Sequence, residues 1–432
     1  MPQSLEEKKE CGATAMSTTR TDVNGTVQTM KALVFHPNNN SNGPSIISLQ
    51  SMPRPTIQEP TDVVIRVHKT TICGTDLHIW ANNVPSVQES LQSSETDTVV
   101  VSTDNDPSES TKITVPGRIL GHEGIGHVVQ VGHAVQNFGI GDRVLVSCIT
   151  TCGNCPACQR QQYAFCKLGG WQLGNTIHGM QAEYCRIPQA DTTCHALPCS
   201  VPTMDGPWED PYVMVSDILP TGYEIGLRGT NTFISPESSV AFVGMGPVGL
   251  AALLSLVASD KKRTTTSNCD SKNQRRIFAI DVNQHRLEQA KTMGATDIID
   301  NTKGDAVEQI LQLTNNVGVD FCVECIGLPI GWEICQDVVS MGGQISILGV
   351  HGRSSVIKLE KLWQHNVSIH TGMVHCSTIP DFLEWIEQGH LDARPLISHR
   401  FALSDIERAY DHFKNADTTH SLKVIIKNDF GE

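Results

Sequence analysis

Residues 239–258 read SVAFVGMGPVGLAALLSLVA. From Val240 to Ala258 the run has no charge and is long enough to suggest a membrane span. Gly244, Gly246, Pro247 and Gly249 break it in the middle. The β-rich SVAFVGM before the break and the Leu/Ala run after it read as strand, tight turn and buried helix rather than a bilayer segment. The turn is spaced G-x-G-x-x-G. That pattern alone is weak, but here it follows a strand and opens a helix, the context a dinucleotide site requires. The glycines let backbone N–H groups approach a pyrophosphate, whose charge the helix N-terminus favours.

Downstream the alternation continues. RIFAIDV (276–282), DIID (297–300), VDFCVECIG (319–327) and GQISILGV (343–350) read as strands. Helical patterns fall at 247–258, 284–293, 305–313 and 332–339. Alternating βα units with apolar strands predict a parallel sheet covered on both faces. The second strand ends at Asp281, whose carboxylate would accept from adenosine ribose hydroxyls and repel a 2′-phosphate, so NAD is expected rather than NADP. The interval from Gly249 exceeds the usual spacing, and an insertion at 260–275 (DKKRTTTSNCDSKNQR) accounts for it. The alternative is that Asp281 merely caps the helix beginning near Gln284.

The 432 residues suffice for two domains. Hydrophobic content of 39% with 18% charged residues is ordinary for a soluble globular protein. A net charge of −14 argues against nucleic-acid and anionic-membrane partners. Fifteen cysteines without a secretory signal fit a reducing, cytoplasmic setting in which thiols stay free or bind metal. Residues 1–28 read as a disordered leader. Residues 86–115, rich in Ser, Thr, Asp and Glu, read with 260–275 as surface loops with little core of their own.

Two sets of residues carry metal chemistry. Cys152, Cys155, Cys158 and Cys166 form C-x₂-C-x₂-C-x₇-C, with Gly153 and Pro156 suited to a tight knuckle. Four thiolates this close can enclose one tetrahedral Zn²⁺, a closed and therefore structural site; a disulfide pair or four buried thiols is the plainer alternative. Cys73, Thr75, Asp76 and His78 crowd one short segment, and His122 and Glu123 follow the apolar ILG. Coming from separate segments, these offer ligands for a second zinc with an open position.

CGTDLHIW, GHEGIGHVVQVG, the four-cysteine knuckle, SDILPTGYE and GMGPVG occur in this order. With them the chain resembles the zinc-dependent alcohol dehydrogenases of the medium-chain dehydrogenase/reductase superfamily, from about Met30 to Lys427. The resemblance implies that Cys73, His122 and Asp217 hold a catalytic zinc, with Glu123 entering or adjoining the coordination sphere. Asp217, where many members have Cys, resembles the branch that acts on secondary alcohols. Asp76 would orient the ligand histidine, and Trp171 would line the substrate pocket or else be a core aromatic. Thr75 would take the proton of a substrate hydroxyl and His78 pass it to solvent, with NAD as hydride acceptor; His78 as a plain surface histidine is the alternative. Gly244, Gly246, Gly249 and Asp281 would bind the cofactor.

The fold class so implied is α/β. A GroES-like β-barrel catalytic domain spans 29–220, completed by 377–432, around a Rossmann doubly wound parallel-sheet domain at 221–376. FALSDIERAYDHF and SLKVIIK read as a strand, helix and strand of the first domain. The expected partner is a small alcohol or ketone, and the family implies a homo-oligomer, dimer or tetramer. Two rivals remain: a polyol or L-threonine dehydrogenase of the same superfamily, against which SDILPTGYE argues, and a non-enzymatic NAD-binding relative, which loss of Cys73, His122, Asp217 or Thr75 would have favoured.

Overall fold

Six strands pair in parallel in the spatial order 297–300, 277–281, 240–243, 319–324, 339–347 and 368–371. This is the doubly wound order 3-2-1-4-5-6, whose reversal falls between the first and fourth strands. The computed structural model of the chain describes residues 28–37, 45–92, 98–103, 106–114, 117–200, 206–227, 237–266 and 275–431. The expected leader lies outside the described residues except for Gln28.

The quoted run forms strand Val240–Val243, turn and helix Pro247–Thr266. All four strand residues are buried, as a central parallel strand covered on both faces requires. Val240 sits opposite Ile277 on one side and Phe321 on the other. Among the described residues no helix is long and apolar enough to cross a membrane.

The chain divides into two compact units, one of residues 1–216, 399–414 and 424–432, the other of 217–398 and 415–423. In the first, strand Val63–Thr71 pairs antiparallel with Gly124–Val131, with Tyr184–Ile187 and with the end of Lys423–Lys427. Val63, Ile65, Val67, Val128, Val144 and Val146 fill the core between these strands. A second sheet joins Ile46–Pro53, Thr29–His36 and Arg118–Ile119.

The sequence placed several boundaries differently. The chain returns to the first unit at His399 rather than at 377, because Glu224 ties residues 375–378 into the second unit. Its carboxylate accepts from His375 N at 2.8 Å, Thr378 N at 2.8 Å and Ser377 Oγ at 3.0 Å. Tyr223, Phe382 and Trp385 then stack edge to face. The 260–275 segment continues the preceding helix through Thr266, and Arg275 grips Asp260 through Nε at 2.8 Å and Nη2 at 3.1 Å; residues 267–274 lie outside the described ones. Nor is 86–115 only loop. Pro85–Gln92 is a helix that buries Val87 and Ser90, and Thr98–Thr103 pairs antiparallel with Asp106–Thr114. Strand Ser368–Thr371 at the sheet edge is too polar to stand out by pattern. Among the described residues twelve cysteines carry free thiols, but Cys199 is disulfide-bonded, contrary to the all-thiol expectation.

Candidate metal and dinucleotide sites

Cys152, Cys155, Cys158 and Cys166 converge, each offering its Sγ within 4.8 Å of the others. Pro156 opens a one-turn helix, Pro156–Gln159, that brings Cys158 back beside Cys155, Sγ to Sγ 3.6 Å. The backbone N–H of Cys152 donates to Cys166 Sγ at 3.2 Å. Backbone N–H groups of Lys167 and Cys158 favour the Cys155 thiolate and bring its pKa down to about 6. Burial pushes the Cys158 thiol up to about 12. Four sulfurs at such spacing suit a tetrahedral zinc, whose ligands at Zn–S of about 2.3 Å stand roughly 3.8 Å apart.

The second set gathers Cys73, His122, Glu123 and Asp217, again with one donor atom each within 4.8 Å. Cys73 is the N-cap of helix Gly74–Trp80, and its N–H donates to Asp76 Oδ2 at 2.9 Å. That carboxylate is 1% exposed, and its Oδ1 stands 3.8 Å from His122 Nδ1. Gln181 Nε2 donates to Asp76 Oδ2 at 3.1 Å, and Tyr410 OH donates to Gln181 Oε1 at 2.7 Å. Burial first, then the Asp76 charge, pushes the Tyr410 phenol well above its ordinary pKa, so it remains a donor. A chain Tyr410–Gln181–Asp76 therefore sets the carboxylate beside the imidazole.

Asp217 directly follows Ser216, whose contacts set its place. The Ser216 hydroxyl accepts from Gly124 N at 3.1 Å and its carbonyl from Cys148 N at 3.0 Å, both in the first unit. One residue on, Asp217 is the N-cap of helix Ile218–Glu224, and Thr221 Oγ1 donates to its Oδ1 at 2.5 Å. Glu123 Oε1 lies 3.9 Å from His122 Nε2. Thr75 Oγ1 is 3.5 Å from Cys73 Sγ, and His78 is exposed on the same helix. The Trp171 ring meets His122 edge to face, centroids 6.1 Å apart.

At the quoted turn the three glycines differ in their surroundings. Gly244 has φ +99, and a Cβ there would lie 2.6 Å from Ile326 Cγ1. A Cβ on Gly249 would lie 2.0 Å from Gly244 O, so helix and turn close only without one. A Cβ on Gly246 would meet nothing within 4 Å, which leaves that side of the backbone open to a ligand. These are the three requirements of a pyrophosphate turn: tight bend, open approach and close helix packing. Asp281 Oδ2 accepts from Met245 N at 2.6 Å, and Oδ1 from Val282 N at 2.8 Å and Asn283 N at 2.9 Å. It is not the helix cap; Asn283 is, its side chain accepting from Arg286 N.

Sequence reasoning missed Gln181, Tyr410 and Thr221. The first two carry no local signal, since they reach Asp76 from 105 residues away and, through Gln181, from a further 229. Thr221 had one: it stands four residues after Asp217 in a helical pattern, where side chains meet.

Residues 59–198 match the alcohol dehydrogenase GroES-like domain family, and 269–388 match the zinc-binding dehydrogenase family. An alcohol dehydrogenase of Cupriavidus necator is 29% identical over 418 residues, covering 92% of this chain and 98% of that protein. A sorbitol dehydrogenase of Bacillus subtilis is 27% identical over 404 residues, covering 92% and 97%. The solved structure of zinc dependent alcohol dehydrogenase 2 from a Streptococcus superimposes with a TM-score of 0.75 at 36% identity, over 93% of this chain and 99% of that one.

Proposed function

The chain belongs to the zinc-dependent alcohol dehydrogenases of the medium-chain dehydrogenase/reductase superfamily, and from that premise we propose that it interconverts a secondary alcohol and its ketone with NAD. It is a zinc-dependent oxidoreductase acting on alcohols with a nicotinamide cofactor. The finer reading rests on one observation: the donor set Cys73, His122 and Asp217 with the Thr75 hydroxyl beside it.

The residues fit both groups. A thiolate, an imidazole and a carboxylate are borderline donors that zinc accepts, and their mutual distances suit one ion. Cys73, His122 and Asp217 would hold it, with Glu123 as an adjoining carboxylate. The cysteine knuckle would hold a second, structural zinc, making two per chain. Gly244, Gly246 and Gly249 would cradle the pyrophosphate, and Asp281 would face the adenosine ribose. Bound there, zinc supplies a Lewis acid at the substrate oxygen and the nicotinamide a hydride acceptor.

The chain's own residues do the rest. Thr75 accepts the proton of the substrate hydroxyl. His78, exposed on the same helix, passes it to water. Asp76, fixed by Gln181, stands beside His122 Nδ1 and would orient the ring so that Nε2 is left for the metal. Trp171, edge-on to His122, narrows the space a substrate occupies. An Asp rather than Cys at 217 favours the secondary-alcohol branch of the family.

A second reading has one observation behind it, the 27% identity with a sorbitol dehydrogenase; it makes a polyol the substrate. A panel of 2-butanol, primary alcohols, sorbitol and L-threonine, followed by NADH absorbance, separates the two. The proposal expects the highest kcat/KM on the secondary alcohol, and sorbitol ahead of 2-butanol would overturn it.

A further inference from the structure

Glu324 closes strand Val319–Glu324, the strand on the far side of the order reversal from the glycine turn. Its side chain is 0% exposed. Burying a carboxylate is costly unless its oxygens are occupied, and here they are. Oε1 accepts from Ile326 N at 2.9 Å and Gly327 N at 2.9 Å. Oε2 accepts from Gly327 N at 3.2 Å and lies 3.1 Å from His351 Nε2. His351 belongs to the loop after the next strand, and its Nδ1 lies 3.3 Å from Ser355 Oγ. The Glu324 carbonyl accepts from Leu348 N at 2.8 Å and Gly349 N at 3.0 Å of that same loop.

One residue thus joins two loops, 325–327 and 348–355, at the carboxyl ends of neighbouring strands. The surrounding backbone is cut to fit it. A Cβ on Gly331 would lie 2.3 Å from Oε1, and one on Gly349 2.7 Å from Oε2. The first loop also abuts the dinucleotide turn, since Ile326 Cγ1 occupies the space a Gly244 Cβ would take. Ligands of open parallel sheets sit outside these carboxyl ends at the reversal.

We propose that the Glu324–His351 contact is a latch that positions both loops for the dinucleotide, with His351 its adjustable half and Ser355 holding the ring. This rests on the reading that the turn at 244–249 binds a dinucleotide. The carboxylate needs an N–H from position 351; the loop backbone alone leaves Oε2 with the single long contact from Gly327. A histidine at 20% exposure can leave without opening the core, which Glu324 cannot. His351 is a positioning residue, not a catalytic one.

The test uses the full-length, zinc-loaded protein, with NADH binding read from its fluorescence and melting curves taken with and without NADH. His351→Ala should raise the NADH Kd about tenfold, the factor one charge-assisted hydrogen bond supports. It should leave zinc content and the KM for alcohol near wild type, while the rise in Tm on adding NADH shrinks. His351→Gln, which keeps an N–H donor, should restore the affinity. A Kd within twofold of wild type in His351→Ala overturns the latch. So does a variant that melts earlier without NADH and is not rescued by Gln, which would make the contact purely structural. If wild type binds neither NADH nor NADPH, the dinucleotide reading itself fails.

Discussion

The Thr221 hydroxyl donates to Asp217 Oδ1 at 2.5 Å, one helical turn after the residue it serves. The contact fixes the carboxylate's rotation within the donor set. Carboxylates that ligate metals are themselves held by such partners, whose loss costs about 10- to 100-fold in metal affinity. Thr221→Val should therefore weaken one zinc by about that factor in chelator competition and leave the knuckle zinc in place; unchanged release of both would show that the Thr221–Asp217 contact serves only the helix.

Asp281 spends its carboxylate on three backbone N–H groups, including that of Met245 inside the glycine turn. It therefore does two things under the NAD reading: it sets the turn and excludes a 2′-phosphate. Asp281→Ser should raise kcat/KM for NADP relative to NAD and, by loosening the turn, lower kcat/KM for NAD as well. Equal kcat/KM for the two cofactors in the unsubstituted enzyme would remove the exclusion role.

How much of this was legible follows from where the signals lie. The cysteine knuckle and the glycine turn are local: their residues stand within 15 and 6 positions, so spacing alone shows the chemistry. Cys73, His122 and Asp217 are far apart in the chain, 49 residues and then 95, and only the order of several motifs joined them. Glu324 and His351 meet through strand register, which one sequence does not display. Helix continuation past Ala258 was hidden because DKKRTTT lacks an apolar stripe; what favours it is polar, the grip of Arg275 on Asp260. The return at His399 depends on Glu224 bonding a segment some 150 residues away, again invisible to periodicity.

Two histidines of the first unit set an acid limit. Burial, then the charges of Arg118 and Arg186, brings the His178 pKa down to about 3, and Ile119 N donates to its Nδ1 at 3.1 Å. Burial brings His195 down to about 4. Both rings are neutral when folded, while the unfolded chain protonates them near pH 6.5. The unfolded state then binds more protons, so stability is present above that pH and is lost as pH falls toward 4 and 3. The slope is at most about 1.4 kcal/mol per pH unit for each ring, lowered by the solvent contact each keeps. Denaturant melts between pH 7 and 4 should show this fall, and His195→Gln should flatten it; an unchanged slope would show that carboxylates dominate.

Thr75 gives the sharpest test of catalysis. Its hydroxyl lies 3.5 Å from Cys73 Sγ, so a substrate oxygen at the metal position falls within its reach, whereas His78 is exposed. A proximal group that alone can touch the reacting oxygen has no substitute; a distal one can be replaced by water. Thr75→Ala should lose most of kcat, in the range of about 10²- to 10⁴-fold, with both zincs and NADH affinity retained. Thr75→Ser, which keeps the hydroxyl, should retain much of the rate. His78→Ala should lose less, and mainly at low pH, where release of the proton to water is least favourable. Pre-steady-state bursts are needed beside the steady-state rates, because slow NADH release would mask a slower chemical step. Wild-type chemistry in Thr75→Ala would end the relay assignment, since nothing about its fold or metal content would then differ while the hydroxyl was gone.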